Sequence, residues 1–195
     1  MRLNWVAEKL CALGYKVRTF PDKESAAAYL NQKIDGKTVG FGGSMTLEAM
    51  RLWEQLKTHN TVYSHLHGFP AGPEAAEAQV YLSSVNGIAE TGEIILIDGD
   101  GNRVSAVSYG HEIVYLVAGR NKIVPDYESA VRRARNVAAP LNARRKQKQT
   151  PCAVRADRCY DCHSPERICR AMLTLWRPVT SMCMEVILID EELGF

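Results

Sequence analysis

Four cysteines in the last third of the chain, Cys152, Cys159, Cys162 and Cys169, are separated by six, two and six residues. Two intervening residues let the thiolates of Cys159 and Cys162 bind one metal, or adjacent irons of one cluster, because the turn between them brings the sulfurs together without backbone strain. The outer pair can close the site from either side. A free thiol titrates near pH ~8.5, so four held together need a strongly Lewis-acidic metal to stay deprotonated. A zinc ribbon usually presents two C-x2-C knuckles, whereas here one knuckle is flanked by single cysteines. That asymmetry reads as a 4Fe-4S cluster, with zinc as the alternative and reduced thiols or a disulfide pair as the metal-free reading. His163, beside Cys162, is an alternative ligand.

Basic residues gather next to these cysteines. Residues 132–148 include seven and no acidic one, and Arg158 and Arg167 fall inside the cysteine segment. Cations near a thiolate-bound cluster offset its negative charge and tune its reduction potential. A solvated helix face followed by a linker accounts for the same charges. Nucleic acid is not expected, because no aromatic residues are interleaved for base stacking. Cys11 and Cys183 lie in apolar periodic segments and read as buried small hydrophobes.

A second kind of chemistry is suggested upstream. Gly42-Gly43-Ser44-Met45-Thr46 follows an apolar run and opens a helical pattern, so backbone amides, two hydroxyls and the helix dipole converge where an anion can bind. The motif matches neither the phosphate loop nor the dinucleotide fingerprint, and such turns also use Gly and Ser for geometry and capping alone. Residues 83–92 crowd polar groups between two strand patterns, with Glu90 available as an acid–base group or nucleophile and Asn86 and Thr91 as hydrogen-bonding partners. A turn held by its own side chains is the other reading of that stretch. His65, His67 and His111 have no partner visible in the sequence and read as exposed or internally satisfied.

The elements that must position these groups follow from periodicity. Leu3, Val6, Ala7, Leu10 and Leu13 fall at helical intervals before a stop at Gly14. Residues 15–20 alternate as a strand, and Asp22 caps a second helix through Leu30. Residues 38–41 form a strand pattern, after which Ser44 caps a helix continuing through Leu56. Residues 80–83, 94–97, 113–117 and 185–189 supply further strands, and Asp98-Gly99-Asp100-Gly101-Asn102 reads as a hairpin turn. From Asp126 a helix is predicted to about Ala139, stopped by Pro140. The simplest assembly is an α/β fold, a mostly parallel sheet flanked by helices with one antiparallel hairpin.

Bulk properties bound these readings. A chain of 195 residues supports one hydrophobic core, so residues 1–195 read as a single domain that includes 150–170 as a cysteine-rich metal-binding segment. A net charge of +2 gives no global attraction to nucleic acid. No run of about 18 apolar residues and no secretory leader are apparent, which predicts a cytoplasmic protein without a membrane partner. In a reducing compartment six cysteines are more often metal-binding, catalytic or buried than paired.

Several motifs together resemble the lactate-utilisation (LUD) domain family. They are the 42–46 turn, residues 86–92 and 100–104, Gly119-Arg120-Asn121-Lys122-Ile123-Val124, Ala139-Pro140-Leu141-Asn142 and the segment from Thr150 to Cys169. The resemblance covers residues 37–195, and the cysteine-bearing tail is similar to that of a short subgroup. It implies a fold similar to ribose-phosphate isomerases and CoA transferases, and an association with oxidation of L-lactate to pyruvate alongside iron–sulfur partner proteins. The expected function is an iron–sulfur component passing electrons from a small hydroxy acid, with Gly42, Gly43, Ser44, Thr46, Asn86, Thr91, Asn121 and Lys122 around the anionic metabolite and Glu90 as the acid–base group. Two other classes compete: a transferase or isomerase using Glu90 on a CoA ester or sugar phosphate, and a non-catalytic sensor of redox state or metabolite. Homo-oligomerisation is left open.

Overall fold

The computed structural model describes residues 2–67 and 73–195. The chain opens with α1 (Arg2–Ala12), β1 (Lys16–Phe20) and α2 (Lys23–Lys33). Asp22 starts α2 by accepting the amide of Ser25 at 2.7 Å, as a capping aspartate in extended backbone should. β2 (Thr38–Phe41) runs through the glycine turn into α3 (Met45–Ala49), where Ser44 Oγ accepts the amide of Leu47. The single helix predicted through Leu56 is broken. Arg51 is left-handed, with φ 52°, and α4 (Leu52–Leu56) begins afresh, while Gln55 Nε2 donates to the carbonyls of Met50 and Arg51 that the break leaves open.

Next come β3 (Thr61–Tyr63), α5 (Pro73–Ala76), β4 (Val80–Ser84), β5 (Gly87–Ala89), β6 (Ile94–Asp98) and α6 (Asn102–Ser108). The hairpin predicted over 98–102 is a strand-to-helix turn, and Asp98 is the reason. Its carboxylate accepts the amides of Gly99, Arg103 and Val104 at 2.8, 2.7 and 3.2 Å, which starts a helix instead of returning a strand. The antiparallel hairpin is β5–β6.

The chain continues with β7 (Ile113–Gly119), β8 (Ile123–Val124), α7 (Tyr127–Arg133), a π-helical turn (Ala134–Ala138) and α8 (Ala139–Arg145). Pro140 does not stop the helix. The π turn, in which the Ala139 amide reaches back to Ala134 O, widens the winding where proline has no amide to give and would crowd the preceding turn. α9 (Pro151–Arg155), β9 (Ala171–Leu175) and β10 (Cys183–Ile189) complete the elements.

Six strands form one sheet in the order β1-β10-β7-β4-β2-β3, every neighbouring pair parallel. Its central strands β7 and β10 are buried almost throughout, as a parallel sheet covered on both faces requires. Val6, Leu10, Val107 and Leu116 lie in the core on one side, and Leu30, Leu47, Leu52 and Val117 in that on the other. The remaining strands form a smaller sheet, β8-β5-β6-β9, backed by Ala130 and Ala134. The α/β architecture is the one expected. Among the described residues no helix is long and apolar enough to cross a membrane.

Candidate functional site

Parallel strands carry the anion turn to its partners. The 42–46 turn follows β2, Ser84 ends β4, and Lys122 lies just beyond β7, so all three meet at the carboxyl edge of the large sheet. Gly42 leaves room there: a Cβ would stand 3.0 Å from Arg103 Cγ, Ser83 Oγ and Tyr81 OH, so these side chains would have to give way. Its missing side chain is the space through which the Arg103 stem passes.

At the base of the site lies Lys122, only 2% exposed. Its Nζ donates to Ser84 Oγ at 2.7 Å and Thr46 Oγ1 at 3.0 Å. Both hydroxyls have carbonyls to donate to, Val117 O at 2.6 Å and Leu193 O at 3.2 Å. Burial pushes the Lys122 amine well below the usual lysine range, and the Arg133 and Arg103 guanidiniums push the same way. Arg133 itself is fixed by donating to the carbonyls of Asn86 and Asn121 at 2.6 and 2.8 Å.

Above Lys122 are two small adjoining cavities, of about 40 and 60 Å3, which share Gly43, Asn86, Arg103, Ala138, Asn142 and Arg145. Arg103 is tied to the Asp98 carboxylate at 3.8 Å and donates to Ile97 O, while Arg145 is held by Asn142 Oδ1 at 2.9 Å. The result is a confined recess with a cationic excess, Arg103, Arg145 and Lys146 being faced by Asp98 and Asp100, of a size for a few heavy atoms.

Not every predicted residue faces it. Gly43, Ser44 and Asn86 line the recess, Thr46 reaches it through Lys122, and Gly42 shapes its wall. Asn121 accepts the Leu193 amide at 3.1 Å and donates to Gly194 O at 3.2 Å, holding the 193–194 segment over Thr46. Glu90 and Thr91 lie on the β5–β6 turn, at the opposite end of β5 from Asn86, roughly 13 Å of extended chain away. There Thr91 bonds Glu93, and the Glu90 amide donates to Val124 O at 2.8 Å. Arg103, Arg145 and Ser84 fall in stretches noted in the sequence, 100–104, 132–148 and 83–92, but none was assigned to the anion site. The helix started by Asp98 places Arg103, and the π turn carries the helix on to Arg145, so neither had a local signal.

The cysteine segment packs against the other side of β6. Gly99 permits it: a Cβ there would be 2.8 Å from Ile168 O, and the Arg170 amide donates to Asp98 O at 2.8 Å. Cys152, Cys159 and Cys169 line one cavity of about 280 Å3 together with Arg135 and Arg167. Arg167 donates to Cys169 Sγ at 3.4 Å and to Cys162 O at 3.0 Å, and both thiols hold its guanidinium more firmly protonated. Arg135 reaches Cys159 Sγ at 3.8 Å and Asp161 at 2.8 Å, and Thr150 Oγ1 lies 3.3 Å from Cys152 Sγ. Among the described residues no three His, Cys, Asp or Glu side chains are gathered tightly enough to hold a single metal ion. His163 is exposed.

The other cysteines and the histidines are settled by packing. α1 buries Val6 and Leu10 and turns Cys11 outward, so Cys11 is exposed and Cys183 half-buried, neither being the buried hydrophobe predicted. His67 bonds Glu48 at 3.0 Å and stacks on Trp53. His111 is buried, bonds Ala78 O at 2.6 Å and stacks on Tyr81. The side chain of His65 lies outside those described.

The sequence matches the LUD domain over residues 3–189. No curated protein matches it. A DUF162 family protein from Deinococcus radiodurans superposes with a TM-score of 0.56 at 15% identity, covering 96% of each chain, which shows a shared fold. Ribose 5-phosphate isomerase from Plasmodium falciparum aligns at 14% identity with a TM-score of 0.36, over 53% of this chain and 52% of that one. Ribose 5-phosphate isomerase A from Neisseria gonorrhoeae aligns at 15% identity with a TM-score of 0.37, over 53% of each.

Proposed function

This chain belongs to the LUD-domain family, associated with lactate utilisation, and from that premise we propose that it is an iron–sulfur component in the oxidation of lactate or a related small hydroxy acid. The observation that carries the reading is a shared wall: Ile97 and Ala139 line both the cationic recess and the cysteine cavity. A small acid and a redox centre are thereby held one layer of side chains apart.

The donor set fits a multi-iron cluster better than zinc. Around one tetrahedral zinc, thiolates at ~2.3 Å from the ion stand only about 3.8 Å from each other, whereas Cys152, Cys159 and Cys169 line a cavity of about 280 Å3, with Cys162 outside that lining and tied to it by the bond of its carbonyl to Arg167. Cys152, Cys159, Cys162 and Cys169 would hold a 4Fe-4S cluster, which supplies one-electron transfer. Arg167 and Arg135 offset the charge of the thiolates and donate to sulfur, which tunes such a centre. Arg103 and Arg145 meet the carboxylate of the acid, and Ser44, Asn86 and Asn142 complete the recess. Cavities of about 40 and 60 Å3 favour a short-chain acid over a sugar phosphate or CoA ester. The remote position of Glu90 on the β5–β6 turn removes it as the acid–base group from the transferase and isomerase readings and from this one alike.

Anaerobic purification followed by iron and sulfide analysis tests the reading. About four irons and four sulfides per chain are expected, falling to background when Cys159 and Cys162 are changed to Ser. Stoichiometric zinc, or no metal with all thiols free, would overturn it.

A further inference from the structure

We propose that Lys122 is a nucleophilic amine that forms a reversible imine with the keto group of a short 2-keto acid held in the recess. The inference rests on the reading of that recess as a site for a small carboxylic acid.

The hydrogen-bond arithmetic points to a neutral amine. Ser84 Oγ has its proton to give to Val117 O at 2.6 Å or to Thr46 Oγ1 at 3.2 Å, and Thr46 Oγ1 gives its own to Leu193 O, so in either case both oxygens present lone pairs to Nζ. A neutral –NH2 has two N–H donors, and these two hydroxyls take both. Its remaining tetrahedral position is a lone pair, and Lys122 lines the recess. In the recess before an acid enters, an ammonium would aim a third N–H where, among the described residues, the charged groups acting on it are the cations Arg133 and Arg103. A desolvated lysine beside other cations is the general recipe for an imine-forming amine.

The reaction balances within the site. Nζ bonds to the keto carbon as the carbonyl pair moves to oxygen; both amine protons then leave with that oxygen as water, and a C=N bond remains. Ser84, bonded to Nζ and itself lining the recess, lies in position to pass those protons on. Arg103 and Arg145 retain the carboxylate throughout.

The test is pyruvate with borohydride on the full-length protein, read by peptide mass spectrometry, with pyruvate binding measured in parallel by calorimetry. One carboxyethyl group per chain on the Lys122 peptide is expected. Labelling should drop at least tenfold in Lys122→Arg, and equally in wild-type protein unfolded in urea, so the result does not hinge on the variant folding. Pyruvate binding without an adduct at Lys122, or adducts spread evenly over surface lysines, would overturn the imine while leaving the acid-binding recess intact. If calorimetry detects neither pyruvate nor lactate, the small-acid reading fails and the imine with it.

Discussion

Single side chains set the chemistry, and Lys122 sets most of it. Because burial and two guanidiniums lower its folded pKa below the unfolded value near ~10.4, the unfolded chain binds a proton that the folded chain lacks across that window. Stability therefore rises with pH there, by up to about 1.4 kcal/mol per unit. Urea unfolding between pH 7 and 9 should show the stability of wild type climbing relative to Lys122→Met, whose side chain does not titrate; parallel curves would mean that Lys122 titrates alike in both states. Arg167 is the counterpart on the cysteine side. Arg167→Gln removes the charge shared by Cys162 and Cys169, so the proposed cluster should lose iron to a chelator several-fold faster than in wild type, as followed by visible absorbance. The cysteines were visible in the sequence because their type and spacing are a chemical signal in themselves, whereas Lys122 was reached only through the family resemblance of residues 119–124. Arg103 and Arg145 were not, since an arginine among many basic residues says nothing until folding aims it.

Secondary-structure elements show where local signals compete. Asp98-Gly99-Asp100-Gly101-Asn102 carries the composition of a hairpin, yet three amides satisfied by one carboxylate make it the start of α6. Pro140 carries the composition of a stop, yet the π turn absorbs it. In both cases the deciding interaction spans more residues than a propensity window weighs. The π turn also sets the direction in which the side chains of α8 point, because one residue corresponds to about 100° of helix rotation. Deleting Val137 should restore α-winding and swing Asn142 and Arg145 off the recess. Binding of pyruvate should then fall at least tenfold while circular dichroism keeps its helical content; unchanged affinity would show that neither side chain meets the acid. Gly42→Ala acts more gently, since the new Cβ at 3.0 Å from three side-chain atoms must displace the Arg103 stem. A loss of about 1–3 kcal/mol in stability, measured by denaturant titration, is expected.

For the molecule as a whole, alternation of strand and helix was enough to predict a parallel α/β sheet, but not the order of its strands, which depends on contacts far apart in sequence. The strand of greatest consequence is β10. It lies between β1 and β7, pairing Val186 with both Val17 and Leu116, and among the described residues β1 has no other neighbour in the sheet. A ribosome must therefore deliver the chain through β10 before β1 can dock by strand pairing, and the 193–194 segment that closes over Thr46 emerges later still. Half-made chains would display a bare apolar edge along β7, a template for wrong partners during synthesis. Nascent chains arrested before Cys183 should be degraded by protease at low doses, whereas those arrested with the whole sheet clear of the tunnel should resist it.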